Sequence, residues 1–368
     1  MDSHETYMQR CLQLASLATG NTAPNPMVGA VLVHNGRIIG EGYHRRYGEA
    51  HAEVNCIDSV VAEDLPLISA ATLYVSLEPC AHHGKTPPCA DLILRHHIRK
   101  VVVGCRDPFV QVNGKGIDKL KSAGVEVITG VLEERCQQLN KRFFTFNILH
   151  RPYVVLKWAQ TLDRKLAPDY SLAGEQKARL FITNQHTNRI VHKWRAEEAA
   201  ILVGTNTALL DDPELSARLW PGSSPLRIVV DMHLRLPQSL KLFDGQIPTI
   251  VFNLHQQNTP LEKISLSELQ KLGVAYYQVT EDVSLVHQML NALYRMNVLS
   301  VMVEGGAQML QSFIDEQAWD EAKIITNEKM EIRSGIPAPI LKNSALRSQH
   351  SIGTDVIRSY DQTTESQS

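Results

Sequence analysis

Two α/β domains in tandem are what the sequence predicts, on three observations. The chain has 368 residues, long for one domain and sufficient for two hydrophobic cores. Short apolar runs of strand character alternate with helical periods through both halves, the pattern of sheets covered by helices on both faces. Between the two series lies Ile148-Leu149-His150-Arg151-Pro152, where a proline after polar residues marks a boundary. We place the border near residue 150, with one domain over 1–148 and a second over 149–362.

In the first domain, Met8, Cys11, Leu12, Ala15 and Ala18 recur at helical spacing and predict an amphipathic helix facing the core. The runs 28–33 and 37–43 read as strands joined by His34-Asn35-Gly36, and Asn-Gly favours the tight turn of an antiparallel hairpin. Further strands are expected at 73–76, 101–103 and 125–129, with helices near 53–62, 89–96, 116–123 and 133–146. In the second domain, strands are expected at 153–157, 199–203, 227–230, 249–252, 275–279, 300–304 and 322–326, with helices at 184–195, 284–296 and 307–316. The tail 363–368 has no apolar residue and is expected to fray. No internal repeat is visible.

Composition excludes several classes of function. Lys and Arg number 37 against 39 Asp and Glu, a formal net charge of -2, so the chain is not the polycation that holds nucleic-acid phosphates by releasing counterions. A phosphate ligand here belongs on a small molecule. No apolar run approaches the ~20 residues of a membrane helix, and Met1-Asp2-Ser3-His4-Glu5 lacks a basic signal region, so a cytoplasmic protein without a membrane partner is expected. In a reducing compartment its six cysteines are expected to be buried thiols or metal ligands.

One constellation carries chemistry. His51-Ala52-Glu53 is followed by Glu78-Pro79-Cys80 and, after a loop, by Pro87-Pro88-Cys89. One imidazole and two thiolates supply three ligands, and a fourth position left to water is the arrangement of a catalytic zinc. If His51 and Cys89 each begin a helix, the positive helix ends lower the thiolate pKa and help to hold that ligand anionic. Glu53 lies close enough to shuttle a proton without ligating: zinc lowers the pKa of water, and a carboxylate accepts the proton and returns it to the ring nitrogen and the departing ammonia. Hydrolytic deamination of an aromatic amidine-type carbon follows. His-x-Glu alone is common at exposed helix starts, and two cysteines alone can be buried thiols; the joint order is that of the zinc nucleobase deaminases, except that eight residues, not two, separate the cysteines.

The resemblance then becomes specific. Pro24-Asn25-Pro26-Met27-Val28-Gly29-Ala30-Val31, Gly42-Tyr43-His44, His51-Ala52-Glu53 and the run Glu78 to Cys89 resemble the deaminase half of the bifunctional riboflavin-biosynthesis family RibD over most of residues 5–147. The resemblance implies a cytidine-deaminase-like α/β/α sandwich that binds one catalytic Zn2+ through His51, Cys80 and Cys89. Its expected substrate is 2,5-diamino-6-(5-phosphoribosylamino)pyrimidin-4(3H)-one. It also implies Asn25 against the pyrimidine, with His44, His82 and Lys85 lining the pocket, and Lys115, in Val112-Asn113-Gly114-Lys115-Gly116, meeting a phosphate.

In the second half, Gly305-Gly306 after a strand and before a helix is a turn whose N–H groups can face an anion, although a glycine pair alone is more often only a turn. The segments Lys157 to Asp163, Phe181-Ile182-Thr183, Trp194-Arg195-Ala196, Gly204 to Thr207, Asp211-Asp212-Pro213 and Val303 to Gly306 resemble the reductase half of the same family, in its order. That resemblance implies a dihydrofolate-reductase-like α/β domain using NADPH to reduce the ribosyl group of 5-amino-6-(5-phosphoribosylamino)uracil to ribityl. Ala159, Thr207, Asp211 and Gly306 would contact the cofactor. Arg195, Leu215, Arg218 and Glu304 would hold the substrate, with the two arginines forking onto a phosphate; otherwise Arg195 is a cation near a helix C-terminus. Arg164, Phe181 and Met232 depart from the family's usual glycine, tryptophan and small hydroxyl residue, and 168–180 and 335–339 depart from its usual serine and glycine patterns. Three other readings compete: a deaminase with a degenerate reductase domain, a nucleic-acid base deaminase, and a non-catalytic zinc scaffold. A homo-oligomer assembled through the second domain is expected.

Overall fold

The computed structural model describes residues 3–81, 87–109, 112–169, 180–257 and 266–363, and the chain divides into two compact units, Met1–His150 and Arg151–Ser368. The first contains α1 (Ser3–Ser16), β1 (Gly29–His34), β2 (Arg37–Tyr43), α2 (Ala52–Asp58), β3 (Thr72–Leu77), α3 (Cys89–Arg95), β4 (Lys100–Cys105), α4 (Lys115–Ser122), β5 (Glu126–Thr129), α5 (Glu133–Leu139) and α6 (Lys141–Leu149). Its sheet has the order β2-β1-β3-β4-β5, antiparallel across β2-β1-β3 and parallel across β3-β4-β5.

Alternate residues of each strand enter different cores. Leu32, Leu73 and Val101 pack on one face of this sheet, and Val31, Tyr74 and Val102 pack on the other. The predicted hairpin is present, with His34 opposite Arg37 and both turn residues left-handed, Asn35 at φ 49 and Gly36 at φ 78. Gly42 brings α2 down onto β2, because a Cβ there would lie 2.2 Å from the Cys56 backbone nitrogen. This contact seats the helix that carries Glu53. The single helix expected over 133–146 is instead two, broken at Asn140. That buried side chain accepts from Met27 N at 2.8 Å and donates to Met27 O at 2.8 Å, a non-local clamp that overrides helical continuity.

The second unit contains β6 (Tyr153–Thr161), β7 (Lys165–Pro168), α7 (Gln185–Glu197), β8 (Ala200–Gly204), α8 (Thr205–Asp211), β9 (Leu226–Val230), β10 (Thr249–Asn253), α9 (Leu266–Leu272), β11 (Val274–Gln278), α10 (Leu285–Arg295), β12 (Ser300–Val303), α11 (Ala307–Asp315), β13 (Glu321–Asn327), β14 (Gly335–Pro337), β15 (Ser344–Ile352) and β16 (Asp355–Gln362). Nine strands form one sheet in the order β11-β10-β9-β8-β12-β6-β13-β16-β15, and β14 pairs with β7. The strands from β11 through β13 run parallel, while β16 and β15 are antiparallel.

The late strand β12 inserts between β8 and β6, so strand order reverses there. In open parallel sheets a crevice forms at the carboxyl ends of strands at such a point. The hairpin β15–β16 was not anticipated. Strand β15 is polar on both faces at the sheet edge and so shows no apolar alternation. The available signal was the two-residue loop Gly353-Thr354, whose glycine has φ 61.

Candidate active sites

In the first unit, His51, Cys80 and Cys89 converge. Their ligand atoms lie within 4.8 Å of one another, with His51 Nδ1 3.3 Å from Cys89 Sγ and 3.7 Å from Cys80 Sγ. Tetrahedral zinc with bonds of about 2.3 Å to sulfur and about 2.0 Å to nitrogen requires N···S separations of about 3.5 Å, which these two distances bracket. The residues therefore fit zinc, and among the described residues no fourth metal-ligating side chain joins them. The fold explains the convergence: His51 is the N-cap of α2, Cys80 follows β3, and Cys89 is the first residue of α3. Two helix N-termini thus face the thiols, and the Cys89 backbone N–H donates to Cys80 Sγ at 3.3 Å. A hydrogen bond from the Cys89 thiol, joined by His51, holds the Cys80 pKa far below the usual thiol range despite burial.

Glu53 lies one helical step beyond this cluster and is 3% exposed. Burial, reinforced by Cys80, raises its carboxyl pKa, the direction that suits a group able to take up a proton and hand it on. Beside the ligands, His44 Nδ1 lies 3.0 Å from the Ala50 carbonyl, which can only accept, so this nitrogen carries the proton. Burial lowers the His44 pKa, so Nε2 is the acceptor for the Asn25 carboxamide N–H at 3.1 Å. The Asn25 carbonyl oxygen is thereby oriented away from His44. The His44 and His51 rings meet edge to face at 5.5 Å, so Asn25 and His44 stand next to the metal ligands. Lys115 is exposed at the first position of α4. His82 and Lys85 lie outside the described residues.

In the second unit, the carboxyl ends of β8 and β12 bring together Thr207 and Gly306. A Cβ on Gly305 would lie 2.9 Å from Thr207 Oγ1, so the glycine turn packs directly on the start of α8, an element that sequence reasoning had not placed. Gly306 has φ 76 and precedes α11 as its N-cap. Asp211 ends α8, and Ala159 is half-buried on β6. Leu215 is buried with φ 52.

Arg195, in the last turn of α7, directs its fork at Glu304. Nε and Nη2 bind both Glu304 oxygens at 2.7 and 2.8 Å, and Nη1 donates to the Ser216 carbonyl at 3.1 Å. Lys157 Nζ adds a contact to Glu304 at 3.5 Å. Burial works to raise the Glu304 pKa, but attraction to Arg195 and then Lys157 outweighs it and holds the group at about 2. Arg218 pairs with Glu214 at 3.0 Å and is half exposed. Lys157 had no role in the sequence reading, although a lysine interrupting an apolar strand was a signal. The pairing of Val303 with Leu156 sets it beside Glu304.

The departures from the family pattern are structurally distinct. Phe181 is 72% exposed, whereas Met232 packs against the core. Arg164 has φ 56, the left-handed conformation that glycine adopts freely. We expect Arg164→Gly to stay within about 0.5 kcal/mol of the parent, because relief of the strained φ is offset by greater unfolded-chain freedom. Arg164→Val should cost about 1–2 kcal/mol, since a β-branched residue tolerates this region worst. Urea unfolding measures both; equal losses would contradict the turn conformation. Of the stretch 168–180, residues 170–179 lie outside the described residues.

Comparison with known proteins agrees with a zinc-binding deaminase region followed by a reductase domain. Residues 1–105 match the cytidine and deoxycytidylate deaminase zinc-binding region, and residues 152–330 match the RibD C-terminal domain. Riboflavin biosynthesis protein RibD of Aquifex aeolicus is 40% identical over 328 residues, 89% of this chain and 87% of that protein. The crystal structure of a diaminohydroxyphosphoribosylaminopyrimidine deaminase/5-amino-6-(5-phosphoribosylamino)uracil reductase from Thermotoga maritima superposes with a TM-score of 0.84 at 32% identity, covering 98% of this chain and 99% of that one. Acinetobacter baumannii RibD gives 0.85 at 30% identity with the same coverage. A His/Cys/Cys zinc site in one unit and a reductase fold in the other are thus matched along nearly the whole chain, which belongs to the RibD family of riboflavin-biosynthesis enzymes, zinc deaminase and NADPH reductase in one polypeptide.

Proposed function

We propose that this chain removes an amino group from 2,5-diamino-6-(5-phosphoribosylamino)pyrimidin-4(3H)-one at the His51–Cys80–Cys89 site and then reduces the ribosyl group of 5-amino-6-(5-phosphoribosylamino)uracil beside Glu304 and Gly306. The observation that carries the first half is three ligand atoms within 4.8 Å next to the buried Glu53. Zinc, when bound there, supplies the Lewis acidity that activates water near neutral pH. Glu53 takes one proton from the attacking water and delivers it to the ring nitrogen, then takes the second from the resulting hydroxyl and delivers it to the amino group, so that C–O bond formation is followed by C–N cleavage and loss of ammonia. Asn25, fixed by His44, orients the pyrimidine.

In the second half, NADPH supplies the hydride. Gly305-Gly306 and Thr207 form the turn on which the nucleotide would lie, and Glu304, held ionised by Arg195 and Lys157, offers its remaining acceptor capacity to the sugar hydroxyls. Among the described residues no helix is long and apolar enough to cross a membrane. The test is to supply the diaminopyrimidine with and without NADPH while following ammonia and nucleotide oxidation separately. Ammonia should appear in both cases and nucleotide oxidation only with NADPH present. Chelation should abolish ammonia release before helix content falls, while reduction of the already deaminated compound continues. Ammonia without nucleotide oxidation would refute the reductase half.

A further inference from the structure

We propose that Glu78 is a positioning residue of the deaminase: its carboxylate fastens the segment carrying Lys115 to the segment carrying Cys80, and so fixes where the substrate's phosphate sits relative to the metal ligands. This rests on the deaminase reading above and on Lys115 meeting the phosphate, as the family resemblance implies. Glu78 directly follows β3, precedes Pro79-Cys80, and is 4% exposed. Its Oε2 accepts the backbone N–H groups of Asp107 at 3.3 Å and Gly114 at 3.0 Å. Its Oε1 accepts those of Gly116 at 3.0 Å and Ile117 at 3.3 Å.

A carboxylate has about four acceptor sites, and here four backbone N–H groups take them. Gly116 and Ile117 belong to the first turn of α4, where unpaired N–H groups and the helix dipole favour an anion. The docking is close: a Cβ on Gly116 would lie 1.9 Å from the Pro79 carbonyl oxygen. Helix α4 therefore rests on the residue just before a metal ligand, with Lys115 exposed at its start. A glutamine at position 78 would turn an NH2 group toward two of these donors, losing two charge-assisted bonds and leaving buried N–H groups unpaired.

The experiment uses the full-length zinc enzyme and its Glu78→Gln, Gly116→Ala and Lys115→Ala variants. Ammonia release is measured on the phosphorylated diaminopyrimidine and on its dephosphorylated counterpart, with zinc content and thermal unfolding recorded for each. Glu78→Gln should raise KM for the phosphorylated substrate about tenfold, with little change in kcat and a full zinc complement, so that the preference for phosphate collapses. Gly116→Ala should give the same pattern from the helix side, and it decides the matter if Glu78→Gln does not fold. A phosphate preference that survives Lys115→Ala would overturn the phosphate reading on which this rests. A preference lost in Lys115→Ala but kept in the other two variants would overturn the positioning role itself, as would a Glu78→Gln enzyme that loses zinc and kcat together.

Discussion

Glu53→Gln should lower ammonia release by about 10²- to 10⁴-fold, the range carried by a positioned acid–base group, while leaving zinc content unchanged. The substitution preserves shape and hydrogen-bonding length at a buried position, so the seat of α2 on β2 is undisturbed. What it removes is the ability to accept and return a proton, a relay used twice in one turnover. The metal ligands His51, Cys80 and Cys89 are untouched, so metal analysis of the purified variant should match the parent. NADPH oxidation with the already deaminated compound should also persist, because that chemistry belongs to the second unit. A variant that releases ammonia at near the parental rate would remove Glu53 from the mechanism. One that loses zinc would make it a structural support of the site.

The first site was legible because its chemistry demands particular residue types at fixed places: a histidine before a helix, a Pro-Cys pair after a strand, and a cysteine opening a helix. Such signals are local. Glu78 was missed for a different reason: its partners are backbone N–H groups, which leave no trace in residue type. The break at Asn140 escaped similarly, since its clamp on Met27 spans 113 positions. In the second unit Arg195 and Glu304 are both expected at the substrate, but nothing in the sequence marks them as partners of each other. Nothing in sequence spacing says that a cation 109 positions from a carboxylate will spend its fork on it. Strand order supplies that information, because β12 lies beside β6 and β8 only after the sheet has formed.

The same ion cluster sets the second large effect. Glu304→Gln should destabilise the reductase unit by about 3–5 kcal/mol, because removing one partner of a buried pair leaves its charge uncompensated. Here Arg195 and Lys157 both lose the Glu304 charge, with side chains only 13% and 12% exposed and Glu304 at 5%. Lys157→Met should cost less, since its contact to Glu304 is 3.5 Å long and the two-pronged bond to Arg195 remains. The pH dependence has a definite sign. The Glu304 pKa is depressed from 4.5 to about 2, so its contribution is fully present above about 4.5 and is lost as pH falls through about 2. Glutamine resembles the protonated acid, so the stability gap between parent and variant, measured by urea unfolding, should be widest near pH 7 and should narrow as the pH drops below 4.5. A gap that widened toward acid would mean that the carboxylate is not held ionised by these two cations. A gap below about 1 kcal/mol at pH 7 would place the triad among weak surface pairs.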